Sequence, residues 1–401
     1  MRTTTTALAL GAALAGAVIL APAAAVAAPA AAPPGGAGHQ AHTATAASAA
    51  SAASTADQAA DQAADESFAA LLAQFYDPGK KYFFTYSDHV IHDEHAHGPE
   101  AGLYTDYWWE AQLWETVMDR YQRTHDAQSR QLIDDVYDGF TAAYPDFRDN
   151  DWNDDIGWWA RGSIRAYELT GESRFLDSAK EKFAYIAQYE DTQYGGGLWW
   201  KNVDVGDGTK NEKNIATNGT FVQTAVKLYD ATGDTAYLDT AKRIFGWLEA
   251  TFDTRQGHLY DHISGGGELA DWPWTYNFGG YASAGLQLKL ATGDDHYLQV
   301  ATRAADWALA NLPGDDGVLP DEGSDDTGGF KAVFTRALRD LVDQGGQTQY
   351  EQALTVNAAA AAAHRNGAGL GGGDWAVTPA DGPVQSLTAS ASVAVIQQAR
   401  G

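Results

Sequence analysis

A helical hairpin recurs three times along this chain, and this repeat constrains the fold more than any other feature. The segment 166–186 (AYELTGESRFLDSAKEKFAYI) recurs at 228–248 and again at 288–309. Each copy ends one helix at a Thr-Gly pair, where glycine can adopt the left-handed conformation, and then starts a second helix after a polar cap. The glycines are Gly171, Gly233 and Gly293. They lie 62 and 60 residues apart, so the repeating unit is a helical hairpin plus a loop.

The same apolar spacing and cap signals predict twelve helices in all. They are expected near 66–77, 107–125, 127–144, 154–170, 173–190, 214–232, 235–252, 275–292, 295–312, 327–344, 346–365 and 384–400. Strand signals are short, and they predict small β-hairpins in the loops 195–203 and 257–263. Stacked helix pairs form either an open solenoid or a closed ring. Twelve helices favour closure, so we predict an all-α (α/α)6 toroid of six helical hairpins with short β-hairpins in the rim loops.

The first residues predict export. Arg2 is followed by an apolar run over 7–26, and Ala25-Val26-Ala27 is a small-x-small cleavage site. Because Ala and Gly dominate the run and Pro22 interrupts it, residues 1–27 indicate a secretory signal peptide rather than a transmembrane anchor. No other stretch reaches the roughly 18 apolar residues of a membrane span. We therefore expect a secreted protein with no membrane association after signal cleavage.

A low-complexity segment follows the signal. Residues 28–65 are rich in Ala, Pro, Ser and Thr and bury too little to be predicted as ordered. The predicted folded domain therefore comprises residues 66–401, and we expect it to be a monomer.

The charge and composition of the chain limit the classes of molecule that it can bind. The chain has 26 Lys and Arg against 53 Asp and Glu, a formal charge of -27. Nucleic acid is excluded as a partner because phosphate binding needs clustered basic residues, and a polyanionic substrate would be repelled. The absence of Cys excludes disulfides and thiolate metal sites. A neutral polymer or a small neutral molecule remains.

The distinctive motifs fall at one end of the predicted ring. In a ring of hairpins, the first helices of all pairs have their N-termini on one rim. Five motifs start there: YWWEAQLWE (107–115), WNDDIGWW (152–159), KNIATNG (213–219), WTYNFGG (274–280) and GGFKAVF (328–334). Trp and Tyr faces with Asp and Asn are typical of carbohydrate sites, although such aromatics can equally fill the centre of the ring. The opposite rim is predicted to carry only Thr-Gly turns and ordinary charge.

The pair Asp154-Asp155 is the sharpest chemical feature. Other adjacent aspartates occur, but only this pair lies between Trp152 and Trp158-Trp159. Glycoside hydrolysis with retention needs two carboxyls about 5–5.5 Å apart, and neighbouring residues in a helix or turn can direct both towards one cavity. A helix N-terminus favours one ionised carboxylate, while repulsion and burial keep the other protonated. The alternative is a helix-capping cluster.

Two possible cation sites are disfavoured. The run 149–160 begins like a calcium loop, but Asp154 stands where the loop needs Gly and Ala160 where it needs Glu. A histidine-rich segment near residue 90 matches no helix-borne zinc motif, so it indicates a solvated loop. Its histidines are His89, His92, His95 and His97. We predict no metal site.

Taken together, these segments resemble glycoside hydrolase family 76, the endo-α-1,6-mannanases. The motif 153–183, GGGLWW, KNIATNG, YDHI, TYNFGG and the segment 318–341 occur in the family's order, and the likeness spans about residues 67–400. The resemblance implies an (α/α)6 fold and endo-cleavage of α-1,6-mannan with retention, without a metal or organic cofactor. It implies Asp154 as nucleophile and Asp155 as acid/base. The chain departs from the family's pattern at Trp152-Asn153 and at Arg161-Gly162, close to the pair.

Motif position and the expected rim predict a set of cleft-lining residues. They are Trp109, Gln112, Trp159, Trp200, Asn214, Asn218, Tyr276, Asn277, Phe330 and Lys331. Among them, Lys331 is the cation expected to contact a hydroxyl or tune a carboxylate. Three alternatives stay open: a transglycosylase that remodels mannan on the same scaffold, an unsaturated-glucuronide hydrolase, which suits this acidic chain poorly, and a non-catalytic mannan-binding protein.

Overall fold

A computed structural model describes residues 58–206 and 210–399, and all of them belong to one compact unit. The predicted signal peptide, 1–27, lies outside the described residues, as does the leader as far as residue 57. None of the helices in the described part of the chain is long and apolar enough to cross a membrane.

Twelve helices of at least 13 residues make up the described fold. They are α1 (58–75), α2 (Tyr107–Thr124), α3 (Ala127–Ala143), α4 (Asn153–Thr170), α5 (Ser173–Ile186), α6 (Ile215–Thr232), α7 (Thr235–Phe252), α8 (Thr275–Thr292), α9 (Asp295–Asn311), α10 (Phe330–Asp343), α11 (Glu351–Ala363) and α12 (Ser386–Gln398). The predicted number of long helices is therefore found. The first differs most: it is helical from residue 58, and Asp65 lies within it and pairs with Arg120 and Arg123 of α2.

Six of these helices close into an inner ring. Each of α2, α4, α6, α8 and α10 packs against the next even-numbered helix, and α12 packs back against α2. The odd-numbered helices from α3 to α11 pack against the inner helices that precede them. The closed (α/α)6 toroid is thus confirmed. Five of the six pairs are hairpins of two consecutive helices. The inner helix α12 is the last described helix and has no outer helix after it, while α1, at the start of the described chain, lies beside α2.

The repeated turns have the predicted conformation. Gly171, Gly233 and Gly293 end α4, α6 and α8 with φ values of 74°, 73° and 76°. Other side chains rarely adopt this left-handed conformation, which explains the recurring Thr-Gly pair. The next helix then starts at once, and the side chains of Asp234 and Asp294 cap α7 and α9.

Short strands join the loops of the motif rim. Strands β1 (Tyr76–Asp77) and β2 (Tyr82–Phe83) are antiparallel, and β3 (Glu212–Asn214), β4 (His262–Ser264) and β5 (Leu269–Ala270) form an antiparallel sheet in that order. These strands lie in the loops that connect the helices.

The two predicted hairpins have different outcomes. The hairpin expected at 257–263 is found a few residues later, where β4 turns into β5. The hairpin expected at 195–203 is wrong: this segment makes only isolated bridges, from Leu198 to Glu190 and from Lys201 to Trp152. Its three consecutive glycines, Gly195, Gly196 and Gly197, all have positive φ, which interrupts a strand.

Candidate active site

The start of α4 places the two adjacent aspartates on the motif rim. Asp154 and Asp155 lie in the first turn of this helix, directly after the buried Asn153. The backbone N–H of Asn153 donates to the carbonyl of Trp200 at 2.7 Å, and its side-chain amide donates to the carbonyl of Trp199 at 2.9 Å. These bonds fix the helix start against the loop before β3, so both carboxyls are held at one place.

The two carboxyls lie in an open cleft. One cavity of about 570 Å³ contains Asp155, and an adjoining cavity of about 110 Å³ contains both Asp154 and Asp155. The two cavities share Trp108, Asp155 and Asp326 in their walls. They therefore form one continuous cleft, with the Asp pair where they meet.

Asp154 accepts two hydrogen bonds that favour its ionised form. Its Oδ2 accepts from the indole N–H of Trp200 at 2.8 Å, and its Oδ1 accepts from the backbone N–H of Asp155 at 3.0 Å. Burial nevertheless dominates and raises the pKa of Asp154 to about 7, and the nearby charge of Glu212 acts in the same direction. Asp154 therefore ionises in the neutral range.

Asp155 has a more strongly raised pKa. Burial is the main cause, and the negative charges of Asp154 and Asp106 add to it, while a 3.0 Å hydrogen bond from the side chain of Asn150 opposes it. The two aspartates interact closely and therefore titrate as a pair. After the pair has lost one proton, the remaining proton is held on Asp155, whose pKa is raised more. The cleft can thus present one carboxylate and one carboxylic acid at neutral pH.

Besides Asp149, two further carboxyls line the cleft and were missed by the sequence prediction. Asp106 caps α2 through the backbone N–H of Trp109, and burial and the charge of Asp326 raise its pKa to about 7. Asp326 accepts the indole N–H groups of Trp108 and Trp109 at 3.1 Å and 2.9 Å. Each lies directly beside a predicted motif, which is the signal that could have found it.

Three of the ten predicted cleft residues line the cleft. Trp200 forms part of the larger cavity, and Tyr276 and Phe330 form part of the smaller one. The hydroxyl of Tyr276 donates to Asp261 at 2.9 Å, and its ring contacts Phe330 with centroids 4.2 Å apart.

Four predicted residues of α2, α4 and α10 are buried and do not line the cleft, so those predictions are corrected. Trp109 lies behind Asp326, and Trp159 packs inside the domain with its indole N–H on the carbonyl of Tyr107. The remaining two are held by internal bonds: Gln112 accepts from Arg336, and Lys331 donates to the carbonyl of Gly373. Burial lowers the pKa of Lys331 to about 8.

The three predicted asparagines are also buried and hold the backbone in place. Asn214 caps α6 by accepting from the N–H of Thr217 at 2.9 Å. Asn218 pairs with both the N–H and the carbonyl of Leu198, at 2.7 Å and 3.0 Å. Asn277 donates to Asp261 at 2.7 Å. Their amides support the loops around the cleft and do not contribute to its wall.

The remaining wall residues come from positions that the prediction did not select. They are His97, Gly98, Tyr107, Trp108, Tyr144, Asp149, Asn150, Trp152, Trp158 and Ala216. Five of them, Tyr107, Trp108, Trp152, Trp158 and Ala216, lie within the predicted motifs, and Tyr144 follows the end of α3. The wall combines indole and phenol faces with carboxyl and amide groups, the chemistry that suits a sugar.

One group of side chains has the proximity expected of a metal site. Among the described residues, Glu212, Asp261 and His262 are the group of potential ligands whose atoms converge within 4.8 Å. Both ring nitrogens of His262 already face carboxylates, Nδ1 to Asp261 at 2.7 Å and Nε2 to Glu212 at 3.4 Å. The group is therefore an internally paired Glu–His–Asp cluster. The four histidines near residue 90 do not converge in this way.

The departure at Arg161 lies away from the cleft. Arg161 is buried and pairs with Glu115 and Gln223 inside the ring. It lines a cavity of about 290 Å³ to which all six inner helices contribute at the opposite mouth of the toroid. That cavity is lined by four arginines and Lys227 and by three acidic residues, Asp119, Glu168 and Asp340. Asp119 pairs with Arg165 and Arg336, and Glu168 pairs with Lys227.

Comparisons with known proteins agree with this architecture. The model for glycosyl hydrolase family 76 matches residues 59–400. Mannan endo-1,6-alpha-mannosidase DCW1 of Saccharomyces cerevisiae is 25% identical over 308 residues, covering 68% of this chain and 66% of that protein. The protein of the same name from Eremothecium gossypii is 25% identical over 345 residues, covering 76% and 75%.

Solved structures give the same result. The GH76A alpha-1,6-mannanase from Salegentibacter sp. superimposes with a TM-score of 0.74 at 26% identity, covering 84% of this chain and 98% of that chain. An inactive variant of that mannanase, in which two consecutive aspartates are replaced by asparagine, was solved with alpha-1,6-mannotriose. From the match over 59–400 and these likenesses, the chain belongs to glycosyl hydrolase family 76.

Proposed function

We propose that this protein is a retaining endo-α-1,6-mannanase in which Asp154 is the nucleophile and Asp155 the acid/base. The observation that carries the proposal is the placement of both carboxyls in one open cleft with their pKa values raised to different extents. In the Salegentibacter relative, the inactive variants lack two consecutive aspartates. Asp154 and Asp155 are a consecutive pair in the cleft of this chain.

The first step forms a bond between the enzyme and the sugar. The ionised Oδ of Asp154 attacks the anomeric carbon while the bond from that carbon to the glycosidic oxygen breaks. Asp155 donates its proton to the departing oxygen, which leaves as a hydroxyl of the shortened mannan. The Trp200 indole, 2.8 Å from Asp154, stabilises its ionised form before attack.

The second step releases the sugar. Asp155, now a carboxylate, takes a proton from water as the water oxygen bonds to the anomeric carbon and Asp154 departs. Two inversions at one carbon give net retention. Because the charge on Asp154 is neutralised in the intermediate, the pKa of Asp155 falls, and this favours its change from acid to base.

The two cavities beside the Asp pair support internal cleavage. Asp155 lines both of them, and the larger cavity also has Trp152 and Tyr144 in its wall. A polymer that continues on both sides of the scissile bond needs space on both sides of the reacting carboxyls. A neutral mannan also suits a chain with a formal charge of -27.

The proposed site of action is outside the cell. The apolar run and the small-x-small cleavage site within residues 1–27 support export. N-terminal sequencing of the protein from culture medium tests this part: a mature N-terminus at residue 28 supports export, and retention of the intact chain inside cells contradicts it.

Incubation with unbranched α-1,6-mannan tests the proposal, with products sized over time. We expect early accumulation of medium-length oligosaccharides, which marks internal cuts. Release of mannose alone would contradict endo-cleavage. Products longer than the starting oligosaccharide, at high oligosaccharide concentration, would instead identify a transglycosylase. Binding without any product would identify a mannan-binding protein.

A further inference from the structure

A second groove lies on the same rim as the cleft. It has a volume of about 450 Å³, within the range of ligand pockets. The loop before α8 forms one wall and the segment after α9 forms the other. Its walls include Trp272, Pro273, Trp274, Leu312, Pro320 and Glu322. The groove is therefore mostly apolar, with the carboxyls of Asp271, Asp321 and Glu322 also in its wall.

Trp272 is unusually exposed for its size. All thirteen tryptophans lie in the described part of the chain, and only Trp152 and Trp272 are exposed, with 37% and 54% of their surface accessible. Trp152 lines the cleft beside Asp155. Burying an indole stabilises a fold substantially, so an exposed indole gives up that stabilisation. An exposed indole in a groove wall therefore indicates a binding role more strongly than scattered apolar surface does.

Ring contacts link this groove to the cleft. Trp274 contacts Phe330 with ring centroids 5.8 Å apart, and Phe330 lines the smaller cavity together with Asp154. Trp272 contacts His262 at 5.0 Å, and His262 belongs to the cluster with Glu212 whose charge acts on Asp154. The groove thus adjoins the smaller cavity, from which the Phe330 ring separates it.

The groove pairs an apolar face with polar edges. Asn311 and Asp321 are exposed at its border and offer an amide and a carboxylate. Glu322 is fixed by accepting the N–H and the hydroxyl of Thr275, at 2.7 Å and 2.6 Å, so the start of α8 holds that edge in place. A pyranose has the matching pattern, with C–H groups on one face and hydroxyls around its edge.

We infer that this groove is a remote sugar-binding subsite, in which Trp272 stacks against a mannose unit of the same chain that occupies the cleft. The inference rests on the proposed function and adds a site distant from the bond that is cut. Its occupant is a neutral hexose of the polymer. We expect a trisaccharide held at the Asp pair to leave the groove empty.

The test compares variants of the full chain for binding and cleavage. Trp272→Ala removes the indole, Trp272→Phe keeps an aromatic face, and Leu290→Ala removes a similarly exposed apolar side chain, 50% accessible, near the far end of α8. Calorimetry with unbranched α-1,6-mannan and with α-1,6-mannotriose gives the affinities. Product release from both gives kcat/KM.

We expect Trp272→Ala to weaken mannan binding about fivefold to twentyfold and to leave kcat/KM on mannotriose unchanged. Trp272→Phe should recover most of the affinity, and Leu290→Ala should match the native protein. Unchanged mannan affinity in Trp272→Ala, or an equal loss on polymer and trisaccharide, overturns the inference. If the native protein binds mannan but cleaves nothing, the proposed function fails while the binding comparison still decides the role of Trp272.

Discussion

The indole N–H of Trp200 donates a 2.8 Å hydrogen bond to Oδ2 of Asp154 and opposes the rise in the pKa of that carboxyl. Trp200 is held in turn by the backbone of Asn153, the residue that starts α4. One tryptophan therefore couples the position of the helix to the ionisation of its first carboxylate.

Trp200→Phe keeps an aromatic ring in the cleft wall and deletes this donor. The pKa of Asp154 should rise further, because its ionised form loses a partner, so the acidic limb of the pH profile of kcat/KM moves to higher pH by about one unit. Trp152→Phe is the matched control, since Trp152 also lines the cleft and donates no hydrogen bond to Asp154. An unmoved acidic limb in Trp200→Phe contradicts this role.

Asn150 has the corresponding role for Asp155. Its amide donates to Asp155 at 3.0 Å and lowers the pKa of that carboxyl, in opposition to burial. Asn150→Ala should raise the pKa of Asp155, so the basic limb of kcat/KM moves to higher pH because the acid keeps its proton longer. Asn202→Ala is the control, as Asn202 donates to the carbonyl of Asn150 at 2.7 Å without contacting Asp155. A basic limb that moves down, or moves equally in both variants, is the opposing result.

The Asp pair should lower stability at neutral pH. Each folded-state pKa lies above the ordinary value of 3.8, so the contribution of these groups to stability is present at low pH and is lost as pH rises towards the folded values, about 7 for Asp154. Asp154→Asn and Asp155→Asn should each abolish mannan cleavage. Each variant should nevertheless have a higher free energy of unfolding than the native protein at pH 8, and this gain should be smaller at pH 5. Urea unfolding at both pH values measures this, with the exposed Asp151→Asn as control. Loss of stability at pH 8 in both variants would refute the electrostatic argument.

Glu115 has the opposite effect on the pH dependence of stability. Burial alone would raise its pKa, but the guanidinium groups of Arg161 and Arg165 outweigh burial and lower the pKa to about 2. Its stabilisation is therefore present above its ordinary pKa and is lost as pH falls towards 2.

Glu115→Gln should cost about 3–5 kcal/mol of unfolding free energy at pH 7, because it leaves two arginines partly unpaired inside the ring. Glu100→Gln breaks the pair with Lys80. About half of each of these two side chains is accessible, so the loss of unfolding free energy should be much smaller than in Glu115→Gln. Equal losses in the two variants, measured by urea unfolding, would contradict this ranking.

Local signals predicted the fold well because the start, the apolar spacing and the end of each helix are encoded within a short stretch of sequence. The Thr-Gly turns at Gly171, Gly233 and Gly293 and the apolar spacing on either side suffice to count the long helices and to favour closure. The first helix was predicted to begin at residue 66, eight residues after its first described residue, because its early turns are rich in Ala, Gln and Asp. The ion pairs of Asp65 with α2 join residues far apart in the chain and cannot be predicted from a local pattern.

The cleft wall was predicted less well for a geometric reason. Adjacent residues of a helix point about 100° apart, so Trp108 and Trp158 line the cleft while their neighbours Trp109 and Trp159 are buried. A motif indicates the helix end that carries the site without indicating which face is turned inward. Asp326 and Phe330 lie far along the chain from the Asp pair, and only the closed ring brings them beside it.

The division of roles between Asp154 and Asp155 is tested most directly by trapping the covalent intermediate. The native protein is treated with a ring-fluorinated α-mannoside inactivator, and the labelled peptide is sequenced by mass spectrometry. We predict one sugar attached to the carboxyl of Asp154. A label on Asp155, or no label together with initial release of the β-anomer from α-1,6-mannan, would contradict the account.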